Sequence, residues 1–321
     1  MIETIQPCLF RLEIPLPGNP LKAVNSYIFK TPRRNLIVDT GMNRQECLDA
    51  MMAGLKELDI DLTITDLFIT HMHADHSGLI SHLATDTSKV FCSRLDADII
   101  NFKDDWSEML TFAGRSGFPE DENAIKLHPG FKYRTRDLVD FTIVADGDYI
   151  DIGDYRFRCV ATPGHTPGHL CLYEEDKRIL ISGDHILGRI TPNISLWGDD
   201  HSPLNQYLDS LSKIYELEVD LVLPAHRRIF TDCRGRIDQL RSHHNNRAAA
   251  IISILEQGPQ NAFTIASQMK WDLSYEHWDQ FPITQKWFAT GEVIAHLKYL
   301  ELAGRVKQVR DASEIKFRLL Y

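Results

Sequence analysis

Three imidazoles and a carboxylate crowd into the segment Thr70-His71-Met72-His73-Ala74-Asp75-His76, directly after the apolar run Leu67-Phe68-Ile69. That pattern reads as a β-strand emptying into a metal-binding turn. Imidazole with carboxylate suits Zn²⁺, and also Fe or Mn, whereas Ca²⁺ or Mg²⁺ sites are built almost wholly of oxygen. Alternation at the strand end predicts His71 and His73 on one side, and the following turn can swing Asp75 and His76 around to face them. Such a cluster is enough to begin two coordination shells and too small to complete them, so further ligands must come from other strand ends.

Three such ends follow in order. Arg156 to Thr162 reads as a strand running into Pro163-Gly164-His165-Thr166-Pro167-Gly168-His169, with His165 as the ligand candidate. The short apolar strand Arg178 to Gly183 delivers Asp184, whose two oxygens can bridge two cations. Asp220 to Ala225 delivers His226.

The succession HxHxDH, PGHTPGH, SGD and PAH resembles the metallo-β-lactamase fold superfamily, and within it the dinuclear glyoxalase II-like branch, over about residues 1 to 230. The resemblance implies an α/β (α+β) fold, an αββα sandwich with its site at one open edge of the sheets. It implies that His71, His73 and His165 hold one metal, that Asp75, His76 and His226 hold the other, and that Asp184 bridges them. His169 is expected to support the site or the surrounding structure rather than bind metal, as are His185, His82, His128 and His201. Asp39, at the end of Ile37-Val38-Asp39, is expected to orient the metal loop by hydrogen bonds. The tandem His243-His244 reads as a solvated or interdomain face.

At 321 residues, with 43% apolar and 25% charged content, the chain has the composition of a globular protein and the length of two domains. These are placed at 1–232, the catalytic part, and 233–321. No run of about 18 apolar residues occurs and the first 20 residues lack a signal-peptide pattern, so no membrane partner and a cytoplasmic location are expected. Six scattered cysteines without a CxxC read as reduced core residues. Residues 1–232 carry 23 basic and 36 acidic side chains, net −13, and the remainder is net +3. An acidic catalytic half repels polyanions, so bulk nucleic-acid binding is not favoured.

The strands Cys8 to Ile14, Asn25 to Lys30 and Asn35 to Asp39 are followed by helices at Arg44 to Glu57 and Gly78 to Leu83, then a strand at Lys89 to Ser93. Residues 95–140 change character and read as an inserted lid in which Trp106, Phe112, Phe118 and Phe131 line a pocket or pack the insertion. After His226, helices at Arg236 to Glu256, Ala262 to Met269 and Glu292 to Ala303 precede a hairpin, Val306 to Arg310 with Ile315 to Leu320. That order resembles a winged helix. Arg305, Lys307, Arg310, Lys316 and Arg318 decorate the wing and Asp311 and Glu314 its tip, so a second copy of the chain in a homodimer, interdomain packing and nucleic acid are all candidate partners.

Two transition-metal ions sharing a hydroxide bring the pKa of water from 15.7 to about 7, and they polarise the attacked carbonyl. The leading expectation is a zinc-dependent hydrolase of a small-molecule acyl thioester or ester, with Asp75 orienting the nucleophile and taking up its proton. Arg189 and Asn193, in the loop after Asp184, are candidates for substrate contact. The rivals are a phosphodiesterase or endoribonuclease of the same fold and a non-catalytic metal- or nucleic-acid-binding regulator. Large nucleases with an inserted domain are excluded, since only 41 residues separate Asp184 from His226. Diiron oxidases of this fold are disfavoured by His73, where they carry Glu, and by the lack of a flavin domain.

Overall fold

Fourteen strands form three sheets in the computed structural model, which describes residues 1–102, 106–119, 126–199, 201–272, 275–310 and 314–320. The first sheet runs in chain order: β1 (Ile2–Gln6), β2 (Leu9–Pro15), β3 (Ala23–Phe29), β4 (Asn35–Val38), β5 (Thr65–Phe68), β6 (Val90–Cys92) and β7 (Phe141–Ile143). It is antiparallel from β1 to β4 and parallel from β4 to β7. The second sheet comprises β8 (Tyr149–Ile152), β9 (Tyr155–Ala161), β10 (Leu170–Glu174), β11 (Ile179–Gly183) and β12 (Leu221–Pro224) in the order β12-β11-β10-β9-β8. Since β10 is antiparallel to both β9 and β11, and β11 is parallel to β12, the strands β9, β11 and β12 all run the same way. Their C-terminal ends therefore emerge together at one edge.

The two sheets pack face to face. Leu9, Tyr27, Phe29, Leu36, Val38 and Phe68 from the first interleave with Phe157, Cys159, Leu172, Ile179, Ile181 and Leu223 from the second. Fully burying each such side chain contributes roughly 1.5–3 kcal/mol, so the sandwich interior dominates the stability of this part. The outer face of the first sheet offers Leu12, Ile14, Ile28, Ile37 and Leu67 to Cys47, Met51 and Leu55, the apolar stripe of the helix Gln45–Glu57. Helix and strand periods are both legible in those positions.

By backbone proximity the chain forms two units: 1–103, 129–192 and 210–236 in the first, and 104–128, 193–209 and 237–321 in the second. The segment 95–140 is thus not one body. The helix Arg94–Asn101 belongs to the first unit, while Ser107–Arg115 and Phe118 belong to the second. The reason is packing: Phe118 sets its ring edge against Trp287 and Phe263, and Trp197 stacks on Trp287 with centroids 3.9 Å apart. Phe131 stays with the first unit.

In the second unit the helices Cys233–Leu255, Ala262–Gln268 and Ile283–Leu302 precede the hairpin of β13 (Val306–Arg310) and β14 (Ile315–Leu319), to which Gln260 adds a bridge opposite Phe317. The helix expected from Glu292 begins nine residues earlier, because Pro282 sits just before its first turn, where a missing N–H costs nothing. Asp311 and the side chain of Arg310 lie outside the described residues. Glu314 pairs with Lys316 at 2.7 Å.

Of the solvated or interdomain face expected for His243-His244, the solvated alternative does not hold for His244, which is 1% exposed and shares a contact of 3.2 Å with His296. Beside it, Arg247 and Glu292 form an ion pair of 2.9 Å in which both side chains are largely buried. Burial alone would raise the Glu292 pKa, but His243 and Arg247 outweigh it and bring it down to about 2. A depressed carboxylate pKa stabilises the fold above the unfolded value and loses that contribution as pH falls through the folded one. Glu292→Gln should therefore cost about 3–5 kcal/mol near pH 7, the expense of stranding a buried charge. Denaturant titration of both proteins checks it, since their difference should close as pH falls from 4.5 towards 2. Among the described residues no helix is long and apolar enough to cross a membrane, and five of the six cysteines are buried and all are unpaired.

Candidate metal centre

His71 and His73 lie in the loop that leaves β5, and Asp75 and His76 ride on the single helical turn Ala74–Ser77 that follows. The turn closes because His76 N donates to His73 O and Gly78 N to Ala74 O. A side chain at Gly78 would meet the backbone at Ala74, Asn43 and Gly41 within 2.7 Å, so only glycine lets this turn seat against the 41–43 loop. From the second sheet, β9 leads to His165, β11 to Asp184 and β12 to His226. All seven side chains belong to the first unit.

They gather as two groups, His71, His73, His165 and Asp184 in one and Asp75, His76 and His226 in the other, with the ligand atoms of each group within 4.8 Å of one another. The Asp184 carboxylate reaches into both. Its Oδ2 lies 3.4 Å from His165 Nε2 and 3.7 Å from His76 Nε2, and its Oδ1 3.3 Å from His226 Nε2. His71 Nε2 and His73 Nδ1 stand 3.0 Å apart, and Asp75 oxygens lie 3.5 Å from His226 Nε2 and 3.8 Å from His76 Nε2. Ligand bonds of about 2.0–2.1 Å to a tetrahedral ion place ligand atoms roughly 3.3–3.4 Å apart. The observed spacings cluster around that value.

The outer ring nitrogens are already committed. His226 Nδ1 donates to Ala23 O at 2.7 Å and His76 Nδ1 to Asp39 Oδ2 at 2.8 Å, which turns both Nε2 lone pairs inward. Those two buried Nε2 atoms make no well-formed hydrogen bond with protein, which is the condition a metal would relieve. The residues present therefore fit a pair of transition-metal ions.

Electrostatics divides the groups. Burial and the neighbouring rings of His76, His73 and His165 hold the His71 pKa well below its usual value. For His226 burial pulls downward, but Asp184 and Asp75 prevail and raise it to about 10. His76 is likewise raised against its burial by Asp39, Asp184 and Asp75. Asp75 and Asp184 stay ionised despite burial, held down chiefly by His76 and His226. Without cations the site balances its carboxylates with imidazolium charge.

Asp39 supports the loop as expected. Besides His76 it accepts from Thr70 N at 2.9 Å, and it holds φ of 61°, a left-handed backbone rare outside glycine that is tolerated where surrounding bonds impose it. Asp39→Ala should weaken metal affinity about 10- to 100-fold, measured by competition with a chromogenic chelator, and an unchanged affinity would deny Asp39 this role. His169 is not brought in as a ligand. Its Nε2 accepts from Asp184 N at 3.1 Å and its Nδ1 contacts Thr162 Oγ1 at 2.8 Å, so it orients Asp184. His82 bonds to Asn43, and His128 packs on Trp106 and Phe288 in the second unit.

Asp96 escaped sequence reading. Fully buried, it accepts from Met72 N at 2.9 Å, Thr166 Oγ1 at 2.6 Å and Gly168 N at 2.8 Å, tying the first ligand loop to the second. The signal was a lone carboxylate on the apolar face of Arg94–Asn101, four residues before Ile100. Arg189 lines a cavity in the first unit, whereas Asn193 belongs to the second unit and donates to Glu292 Oε2 at 3.2 Å.

A family model described as the metallo-beta-lactamase superfamily matches residues 19–226. Lactamase-like protein aptB of Emericella nidulans is 25% identical over 241 residues, covering 74% of this chain and 62% of its own length. An atrochrysone carboxyl ACP thioesterase of Aspergillus fumigatus is 23% identical over 259 residues, 80% of this chain and 66% of its own length. The chain thus spans less than two thirds of either relative. The crystal structure of a beta-lactamase domain protein from Burkholderia ambifaria superposes with a TM-score of 0.84 at 26% identity, covering 99% of this chain and 94% of that one.

Proposed function

Because the chain belongs to the metallo-beta-lactamase superfamily and carries these two ligand groups, we propose that it is a dinuclear, zinc-dependent hydrolase of acyl thioesters or esters, glyoxalase II-like in its site. The observation that carries this reading is the single Asp184 carboxylate standing within 3.3–3.7 Å of ring nitrogens from both groups. His71, His73 and His165 would hold one ion and Asp75, His76 and His226 the second, with Asp184 within reach of both. When bound, such ions supply Lewis acidity towards a carbonyl oxygen and lower the pKa of water from 15.7 to about 7.

The protein's own part is orientation. Asp75, ionised and beside His226 and His76, accepts a hydrogen bond from the attacking water, aims it at the acyl carbon, and takes up its proton for the leaving thiolate. Water adds to that carbon, the carbon–sulfur bond breaks, and a carboxylic acid and a thiol leave. Asp39, Asp96 and His169 hold three of the four ligand loops in register, which limits reorganisation during attack. That the Aspergillus fumigatus relative is a thioesterase supports carbonyl rather than phosphoryl chemistry.

A panel of acyl-CoA, acyl-glutathione and aryl thioesters, run beside single-stranded RNA and bis(p-nitrophenyl)phosphate, tests the reading. Thioester turnover in step with zinc content is the expected result. Phosphodiester cleavage without thioester turnover would replace it with the nuclease reading.

A further inference from the structure

Four arginines line one open cavity of about 540 Å³ in the first unit: Arg11, Arg189, Arg227 and Arg228, with Glu13 and Ile190 completing the lining. The setting makes this unusual. The chain carries a net charge of −10, yet here four cationic residues and one acidic residue line the same cavity. Two of the four are partly engaged: Arg11 pairs with Glu3 at 2.6 Å, and Arg227 donates to Pro20 O at 2.7 Å. Among the described residues the exposed Arg189 and Arg228 form no ion pair.

Three of the lining arginines lie on the same loops as metal-ligand candidates. Arg227 and Arg228 directly follow His226, and Arg189 lies five residues beyond Asp184. Both loops are fastened. Asn25 Nδ2 donates to Pro224 O at 2.8 Å and Arg227 O at 3.0 Å, while Arg236 donates to Leu187 O at 2.6 Å and Ile190 O at 2.9 Å. With the loop carbonyls held in this way, the backbone of each loop is fixed where its arginine enters the cavity. A volume of this size is within the range of small-molecule sites.

The geometry points to this cavity as a binding site for the phosphate groups of the thiol carrier, so that the substrate is an acyl thioester on a phosphorylated, coenzyme A-type pantetheine arm. This rests on the thioesterase reading above and narrows it. Guanidinium forks match phosphate oxygens in pairs, and the two net positive charges left after Glu13 and the Glu3 paired with Arg11 are counted balance a carrier bearing several phosphates better than glutathione, with two carboxylates and an ammonium. The released product is then a phosphate-bearing thiol, and the acyl half is left to the metal side of the site.

The test compares one acyl group on coenzyme A, on phosphopantetheine, on unphosphorylated pantetheine and on glutathione, in zinc-loaded wild type and in Arg189→Ala/Arg228→Ala. Expected is a wild-type kcat/KM that falls from coenzyme A through phosphopantetheine to pantetheine. In the double variant the coenzyme A-to-pantetheine ratio should drop by about tenfold for each guanidinium lost, with Arg189→Lys/Arg228→Lys retaining part of it. A wild-type ratio near one, or a ratio the variant leaves unmoved, overturns the assignment. Free coenzyme A binding to both proteins, read by calorimetry, gives a second measure that needs no turnover. If no thioester reacts, the thioesterase reading itself has failed. RNA cleavage that depends on these arginines would give the cavity to a nucleic acid and likewise overturn the proposal.

Discussion

Replacing Asp184 by Ala is expected to lower turnover of the best thioester by at least about 10³-fold, a barrier increase of roughly 4 kcal/mol, and to reduce bound metal below two ions per chain. The argument is geometric. Asp184 approaches ring nitrogens of both ligand groups, and its removal leaves His165, His76 and His226 facing one another without that carboxylate. Two cations held without the intervening carboxylate would repel each other across a buried, weakly screened space. Asp184→Asn keeps the volume and removes the charge, so a comparable loss in that variant assigns the effect to charge rather than to a cavity. Metal analysis beside steady-state kinetics reads both halves. Full turnover in Asp184→Ala would move the chemistry elsewhere.

Stripping the metal with a chelator should lower the melting temperature by about 5–15 °C, reversibly on adding zinc. Ions present at 100–1,000 times their dissociation constant stabilise by about 2.7–4.1 kcal/mol, and each kcal/mol shifts the midpoint by roughly 2–4 °C in a domain of this size. The shift should be confined to one transition, because all seven ligands belong to the first unit. Calorimetry of metal-loaded and stripped protein measures it. An equal shift in every transition would mean that the ions do not act through these residues alone.

Much of the centre could be read from the chain because each ligand follows an apolar strand, and strand periodicity is a local signal. His71 to His76 declared themselves by density, His165 by its glycine frame, and Asp184 and His226 by the buried runs Ile179–Gly183 and Leu221–Pro224 before them. The division of the chain was harder to read. Phe118 and Trp197 look like parts of an insertion and a loop, yet both pack on Trp287 from a remote helix. β10 went unnoticed because Leu170–Glu174 leads to no ligand and runs straight into the charged stretch Glu175-Asp176-Lys177-Arg178, and the solvated alternative for His244 failed because polar neighbours hide a buried face.

The amino-acid sequence by itself determined the donor set, its order and the strands that carry it, since ligand chemistry and β-pattern depend only on neighbours along the chain. The tertiary structure alone decided that one carboxylate serves two ligand groups, that Asp96 ties two loops together, and that Arg11 meets Arg189, Arg227 and Arg228 around one cavity. These depend on which strands run parallel and where their ends emerge, relations between residues as much as 217 positions apart that no local preference encodes.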